Sequence, residues 1–135
     1  MSVLIVHDDG LIALTPAADY TAKTGYLIGF SGDTATVTSH ATTVEPTGVI
    51  VEPNVTTAGF ATEKVTVALL GPVGGTIRVK TSGAITKGAK VKQAADGTII
   101  TDAAGARWVI GTACESGVSG DLIEVAPHAA QYYAS

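Results

Sequence analysis

The sequence predicts an all-β fold, a small β-sandwich or β-barrel of roughly ten short antiparallel strands with extended terminal arms. Glycine contributes 16 of the 135 residues, well above its usual share of about 7%. Charged residues make up only 15% of the chain, against about 25% in a typical globular protein. Short apolar runs, rich in valine and threonine, alternate with turn residues, and no run has apolar residues at helical spacing. These three observations favour strands over helices.

The predicted strands of the first half are apolar or alternating runs bounded by turn residues. Asp9-Gly10 lies between two apolar runs and predicts a hairpin, and Ser31-Gly32-Asp33 predicts a second turn. Pro46 and Pro53 bracket a further strand, because proline cannot donate to the ladder of backbone hydrogen bonds. The predicted strands cover residues 3–6, 11–14, 26–30, 34–38, 48–52 and 64–70.

The second half continues this pattern. Residues 71–75 are rich in glycine, but they lack the Gly-Lys-Ser/Thr sequence of a phosphate-binding loop and lead into a strand, so they predict a hairpin turn. Ala95-Asp96-Gly97-Thr98 predicts a tight turn. The predicted strands cover residues 76–80, 90–92, 99–101, 108–113 and 122–125, and the last two form a closing hairpin.

The length of the chain predicts a single domain over residues 1–135, large enough to bury a core without disulfide bonds. No linker or internal repeat divides it. Residues 1–24, as an N-terminal arm or hairpin, and residues 126–135, as a C-terminal tail, are expected at the periphery. Chain ends outside the core are the segments best placed to contact other subunits, and pairing with a neighbour's sheet edge is one mode by which they would do so.

The charge is distributed unevenly along the chain. Residues 1–63 carry one lysine against seven acidic residues, a net charge of −6, whereas residues 64–107 carry seven basic residues against two acidic ones, a net of +5. Residues 108–135 carry three acidic residues. The basic and acidic segments can pair within the fold, between subunits, or with an acidic partner surface.

The sequence contains no pattern that supplies catalytic chemistry. His7, His40 and His128 are far apart in the sequence and match no metal-ligand spacing. Cys114, the single cysteine, lies in an apolar run and is expected to be a buried, unreactive thiol. Glu45 and Glu52 flank one strand, but without an aromatic sugar platform nearby a glycosidase pair is disfavoured. We therefore expect no enzymatic activity, no cofactor and no metal.

The chain also lacks the signals for export, membrane insertion or nucleic-acid binding. The N-terminal residues have no basic segment preceding their short apolar run, and no apolar stretch approaches the roughly 20 residues that span a bilayer. The basic segment contains no aromatic residue before Trp108 on which a base could stack. We expect a protein that is made in the cytoplasm and binds neither membrane nor nucleic acid.

Candidate contact residues comprise the apolar residues 3–6 of the N-terminal arm and three further groups. Trp108 lies in a strand that is apolar on both faces, which places it in the core or under a neighbouring subunit. The terminal Tyr132 and Tyr133 are either disordered or docked at an interface. The outward positions of two predicted strands form an expected basic face. The predicted interface residues are Val3, Leu4, Ile5, Val6, Arg78, Lys80, Lys90, Lys92, Trp108, Tyr132 and Tyr133.

Residues 25–125 resemble a family of phage head proteins. The stretches that carry the resemblance are Gly25–Phe30 with Gly48-Val49, Ser82–Val91 with Asp96-Gly97-Thr98, and Ile110-Gly111-Thr112-Ala113-Cys114-Glu115 with Gly120–Val125. They resemble the small proteins grouped as the DUF2190 family, described as capsid decoration or cement proteins. Cys114 stands where that family usually has leucine, a conservative change at a buried position.

The resemblance implies a structural virion protein that binds the outer surface of a bacteriophage capsid and stabilises the contacts between capsomers. Its implied partners are the major capsid protein and further copies of itself, with a trimer as the family-level expectation. Two other classes remain open. A tail-tube, fibre or baseplate β domain would share the composition, and a cellular carbohydrate-binding module would need an aromatic strip.

Overall fold

A computed structural model describes residues 10–38, 44–52, 59, 63–72 and 74–135. These residues form ten strands and one short 3-10 turn, Ala95–Gly97, and every strand pair is antiparallel. The all-β prediction of roughly ten antiparallel strands is therefore confirmed. The strands are β1 (Leu11–Leu14), β2 (Leu27–Ser31), β3 (Thr34–Val37), β4 (Gly48–Glu52), β5 (Val65–Leu69), β6 (Ile77–Lys80), β7 (Lys90–Gln93), β8 (Ile99–Thr101), β9 (Arg107–Ala113) and β10 (Leu122–Tyr133).

Each of the two sheets is built from one contiguous half of the chain. The first sheet has the order β1-β5-β4-β2-β3, and the second has the order β6-β10-β9-β7-β8. The glycine-rich segment between β5 and β6 thus carries the chain from one sheet to the other, and the predicted hairpin turn at residues 71–75 is wrong. The composition of a turn indicates that the chain changes direction, but it does not determine which sheet the next strand joins.

The main core lies between the two sheets. Leu27 and Val49 of the first sheet are fully buried in it, together with Val91 and Ile110 of the second. The inward residues alternate with outward polar ones along β6 and β7, as expected for strands with one buried face. Burial of these β-branched and leucine side chains supplies the main stabilisation of the fold, at about 1.5–3 kcal/mol for each fully buried side chain.

A second core covers the other face of the first sheet. Ile28, Ile50 and Val67 point into it, and the segment after β1 packs across them with Tyr20, which is 7% exposed. The Tyr20 hydroxyl accepts a hydrogen bond from the backbone N–H of Val37 at 3.0 Å. Strands β2 and β4 are therefore buried on both faces, which explains their uninterrupted apolar runs.

Residues 10–24 are thus an integral part of the fold, which differs from the expected peripheral arm. Strand β1 pairs with β5 along its whole length, and backbone hydrogen bonds join Ala17 and Thr15 to Ala35 of β3. The segment stays attached because it covers apolar side chains of β2, β4 and β5 that would otherwise face water. The predicted contact residues Val3, Leu4, Ile5 and Val6, with the strand and hairpin proposed for them, lie outside the described residues.

The C-terminal residues also differ from the expected peripheral tail. Strand β10 runs from Leu122 to Tyr133 and pairs with β9 on both sides of an irregularity between Pro127 and Gln131. The irregularity begins directly after Pro127, which pairs with Gly111 and has no N–H to donate to the ladder. The predicted closing hairpin of β9 and β10 is confirmed, and it extends eight residues beyond the predicted end at Val125.

Candidate interaction surfaces

The potentially reactive side chains of the described residues were compared with the arrangements that hold a metal ion. No three histidine, cysteine, aspartate or glutamate side chains within it are placed to share a metal ion, and no helix in the same residues is long and apolar enough to cross a bilayer. Cys114 is half-buried just after β9, with its Sγ 3.8 Å from the carbonyl of Thr112. The features of interest are therefore surfaces.

The four predicted basic residues lie on the outer face of the second sheet in two separate pairs. Arg78 and Lys80 are on β6, and Lys90 and Lys92 are on β7. Strands β10 and β9 lie between them, so the pairs are about 14 Å apart at the usual strand spacing. The structure brings each pair together along its own strand but does not merge the four into one patch.

Acidic neighbours further distinguish the two pairs. Arg78 Nε lies 3.2 Å from Glu124 Oε1 on the adjacent strand, and its Nη1 lies 3.4 Å from Glu115 Oε1. Glu124 also accepts a hydrogen bond from the Thr76 hydroxyl at 2.5 Å. The charge of Arg78 is therefore balanced within the fold, and Lys90 and Lys92 remain the better candidates for an acidic partner surface.

The predicted aromatic residues meet at one end of the β9–β10 ladder. The rings of Trp108 and Tyr132, which are cross-strand partners, have centroids 5.2 Å apart and are tilted by 52°. Arg107 lies over the ring of Tyr133 at 4.8 Å. We call Arg107, Trp108, Tyr132 and Tyr133 the aromatic cluster. Tyr132 and Tyr133 are 48% and 43% exposed, so the cluster combines ordered rings with accessible area, as binding hot spots do.

The aromatic cluster is held in place through Arg107. Its guanidinium pairs with the carboxylate of Asp102 at 2.5 Å and donates to the carbonyl of Ser135 at 2.9 Å. Tyr132 and Tyr133 are therefore paired with β9 of their own chain, and their role at an interface stays a prediction. Trp108 is half-buried and outside the two cores, packed on Tyr132.

A groove of about 480 Å³ opens between the two sheets near the edge formed by β1 and β6. Its wall is mostly apolar and includes Ile50, Ala68, Ile77 and the side chains of Leu11 and Leu122. Leu11 and Leu122 are 37% and 36% exposed. Thr76, Arg78 and Glu124 form its polar rim.

The edge of β6 that borders the groove is partly covered by Gly25. In the order of the second sheet β6 is the outermost strand, paired only with β10. The backbone N–H of Lys80 donates to the carbonyl of Gly25 at 2.8 Å, so this N–H points away from β10. Because residues two apart in a strand point the same way, the backbone N–H and C=O of Arg78 are also directed away from β10, and a Cβ atom at Gly25 would lie 3.6 Å from the Arg78 carbonyl oxygen.

Sequence reasoning missed this groove. Its walls combine Leu11 with Leu122, which are far apart in the sequence and belong to different sheets. One signal was present: Leu122 precedes the inward-facing Ile123, and an outward apolar residue at a strand end indicates a covered or unfilled surface.

Comparisons with known proteins support the fold. No family model and no curated protein matches the chain, so the resemblance to the DUF2190 family stays a prediction. A solved structure, the N base of the head fiber protein gp8.5 of bacteriophage phi29, is similar to this chain with a TM-score of 0.62. It is 20% identical, and the alignment covers 90% of this chain and 97% of the other. At this identity the similarity establishes a shared fold.

Proposed function

We propose that this protein is a structural component of a bacteriophage virion that binds the outer surface of the capsid and stabilises contacts between capsomers. The observation that carries the proposal is the match of almost the whole chain to the base of a phage head fiber. A head fiber base and a capsid decoration protein share the task of attaching to a head. The sequence resemblance to decoration proteins, which rests on different evidence, favours the same location.

The surfaces of the molecule fit this role. A capsid-binding protein needs a stiff scaffold and exposed anchor residues, and it needs no reactive site. The two sheets supply the scaffold, and the aromatic cluster supplies ordered, half-exposed tyrosines of the kind that are enriched at protein interfaces. We propose the major capsid protein as the partner, contacted by the aromatic cluster and by Lys90 and Lys92. We also propose that the protein forms a homo-oligomer, with a trimer as the first expectation.

The base of a head fiber is the second candidate, and the structural match favours it specifically. The two roles make different demands on the capsid. A decoration protein must strengthen the shell it binds, whereas a fiber base needs only to attach to it. Both roles require the protein to bind the outer surface of an assembled head and not the inner surface of the capsid shell.

One experiment tests the proposal and separates the two roles. Heads purified without the protein are incubated with it, and binding is measured by co-sedimentation and by electron microscopy. We expect saturable binding to the outer surface and a raised temperature of genome release. Binding without a rise in that temperature would favour a fiber base over a cement role. Absence of any binding to heads would refute both.

A further inference from the structure

A polar cavity of about 600 Å³ lies where the turn before β2 meets the end of β6. Lys23 and Tyr26 line it from the first half of the chain, and Lys80 lines it from β6. The turn between β7 and β8 contributes Asp96. We call Lys23, Tyr26, Lys80 and Asp96 the lysine pocket. It is separate from the apolar groove, because none of these four residues lines the groove.

Backbone hydrogen bonds hold the two lysines on one cavity. The N–H of Tyr26 donates to the carbonyl of Lys23 at 3.2 Å, which closes the turn that carries Lys23. The N–H of Lys80 donates to the carbonyl of Gly25 in the same turn at 2.8 Å. The turn is therefore held against the end of β6, and the two lysines are neighbours although they are far apart in the sequence.

The positive charge of the lysine pocket is not neutralised by an ion pair. Among the described residues, neither Lys23 nor Lys80 forms a salt bridge. The ammonium of Lys23 lies 4.5 Å from the centre of the Tyr26 ring, a contact that orients the ammonium and leaves its charge in place. Asp96 lines the cavity without a salt bridge to either lysine. Two like charges on one cavity repel each other, and an added anionic group would relieve that repulsion.

The charge and size of the lysine pocket indicate a carboxylate as the ligand. Two lysines and one aspartate give the pocket a net charge of +1, which a single carboxylate neutralises and a phosphate dianion exceeds. Lysine is a flexible point charge, so it does not require the planar bidentate ligand that arginine selects. The volume lies within the range of about 300–1,000 Å³ that is typical of ligand pockets, so the carboxylate is expected as part of a larger group.

The mouth of the lysine pocket is accessible to a side chain that projects from another protein. Ser82, Ser119 and Gly120 line the cavity and are exposed. A protruding acidic side chain can therefore enter without displacing any part of the fold. Electrostatic complementarity of this kind fixes the orientation of a partner and excludes partners with the wrong charge.

We propose that the lysine pocket binds a carboxylate carried by an acidic side chain of the protein surface to which this chain attaches. Lys23 and Lys80 donate to the carboxylate oxygens. The assignment to a protein surface rests on the proposed attachment to a head, whereas the carboxylate site itself does not. The inference also gives a role to Lys80, whose neighbour along β6, Arg78, is already paired with Glu115 and Glu124.

A peptide titration tests the carboxylate site on the isolated protein. The probe is a tripeptide of glycine, glutamate and glycine with both ends capped, and its matched control has glutamine in the central position. Binding is followed through the backbone amide NMR signals. We expect saturable shifts at Tyr26, Lys80 and their neighbours with the glutamate peptide and no shifts with the glutamine peptide. Equal binding of both peptides, or binding of neither, would overturn the carboxylate site.

Paired variants show whether the pocket or the overall charge attracts the peptide. Lys23→Gln/Lys80→Gln should weaken binding of the glutamate peptide about tenfold. The control Lys64→Gln/Lys87→Gln removes the same charge at two exposed positions outside the pocket and should bind normally. Thermal unfolding checks that both variants keep the fold. Equal weakening in the two variants would overturn the site.

A third comparison identifies the source of the carboxylate. Propionate carries the carboxylate of a glutamate side chain without the peptide groups. Tighter binding of the peptide than of propionate supports a side chain on a protein. Binding of propionate alone would overturn that source and assign the pocket to a free acid. Self-association of the free protein that Lys23→Gln/Lys80→Gln abolishes would also overturn it, by placing the carboxylate on a second copy.

Binding to heads separates this inference from the proposed function. Heads that bind Lys23→Gln/Lys80→Gln as tightly as the unchanged protein would overturn the role of the pocket in attachment and leave the proposed function standing. A protein that binds the glutamate peptide but no heads would refute the proposed function and leave the carboxylate site standing. Weaker binding of the double variant, with normal binding of Lys64→Gln/Lys87→Gln, is the expected result.

Discussion

At the scale of single residues, Gly97 shows how the two sheets approach each other. It follows Asp96 in the turn between β7 and β8, and both have left-handed backbone angles, with φ of 75° and 57°. A Cβ atom at Gly97 would lie 2.9 Å from the carbonyl oxygen of Leu27 and 2.6 Å from a methyl group of Val37. The turn of the second sheet thus touches the backbone of the first at a point where no side chain fits.

Gly97→Ala should therefore destabilise the protein more than Gly32→Ala does. Gly32, in the turn between β2 and β3, also has positive φ, at 59°, but a Cβ there would meet nothing within 4 Å. The backbone cost is about 1–2 kcal/mol at either position, and overpacking adds about 1–3 kcal/mol at Gly97 alone. Urea unfolding of both variants measures the difference. Equal losses would mean that the contact with Leu27 is unimportant.

The sequence predicts these turns but not their surroundings. Ser31-Gly32-Asp33 and Asp96-Gly97 identify tight turns because glycine and aspartate tolerate left-handed backbone. The structure confirms both turns as connections between neighbouring antiparallel strands. The approach of Gly97 to Leu27 could not be predicted, since it depends on how one sheet is placed on the other.

At the scale of secondary-structure elements, β10 departs most from the sequence pattern. Pro127 interrupts the alternation and indicates an end to the strand, yet the strand continues to Tyr133. Cross-strand contacts of Tyr132 with Trp108 and of Tyr133 with Arg107 hold its last residues. These contacts depend on the register in which β10 pairs with β9. The local sequence of one strand carries little information about that register. For the same reason the groove could not be predicted, whereas the inward and outward positions of β6 and β7 could.

Deleting residues 131–135 should weaken the fold and expose Trp108. The deletion removes the three residue pairs from Gln131 to Tyr133 that join β10 to the start of β9. Each lost cross-strand pair costs about 0.2–1 kcal/mol, so we expect a loss of about 1–3 kcal/mol in the free energy of unfolding. Trp108 is the only tryptophan, and its fluorescence should shift to longer wavelength.

The matched control deletes only Ala134 and Ser135, which follow the end of β10. It removes the hydrogen bond from Arg107 to the Ser135 carbonyl but leaves the aromatic cluster intact. A small change in stability and an unshifted Trp108 emission are expected. If the longer deletion behaves like the control, the aromatic cluster contributes nothing to holding β10.

At the scale of the whole molecule, the net charge changes sign between the first strands of the chain and the strands that follow. Residues 1–63, which contain β1–β4, carry a net charge of −6, and residues 64–107, which contain β5–β8, carry +5. The ion pairs of Arg78 are with Glu115 and Glu124 of residues 108–135, so they do not offset the negative charge of residues 1–63. Residues 1–70, which contain the first sheet, carry a net charge of −5, and residues 71–135, which contain the second, carry +1, so the two sheets present different charge to a partner.

Binding to heads should weaken as salt increases, and Lys90 and Lys92 should account for the effect. At 0.5 M salt the screening length is well below the roughly 10 Å found at 0.1 M, so attraction between exposed charges falls. The double variant Lys90→Glu/Lys92→Glu should bind weakly at low salt and lose most of the salt dependence. Lys87→Glu, an exposed loop change, is the control. Co-sedimentation across a salt series provides the measurement, and binding that ignores salt would count against an acidic partner surface.

The strand order also constrains how the chain acquires its structure during synthesis. The first five strands complete one sheet before any of the second sheet has been translated. In the second sheet, the last strand to leave the ribosome, β10, lies between β6 and β9. Strand β6 has no other strand partner in its sheet, so its pairing in the sheet waits until β10 has been translated. A ribosome stalled before β10 has emerged would therefore display a finished first sheet beside an unfinished second one.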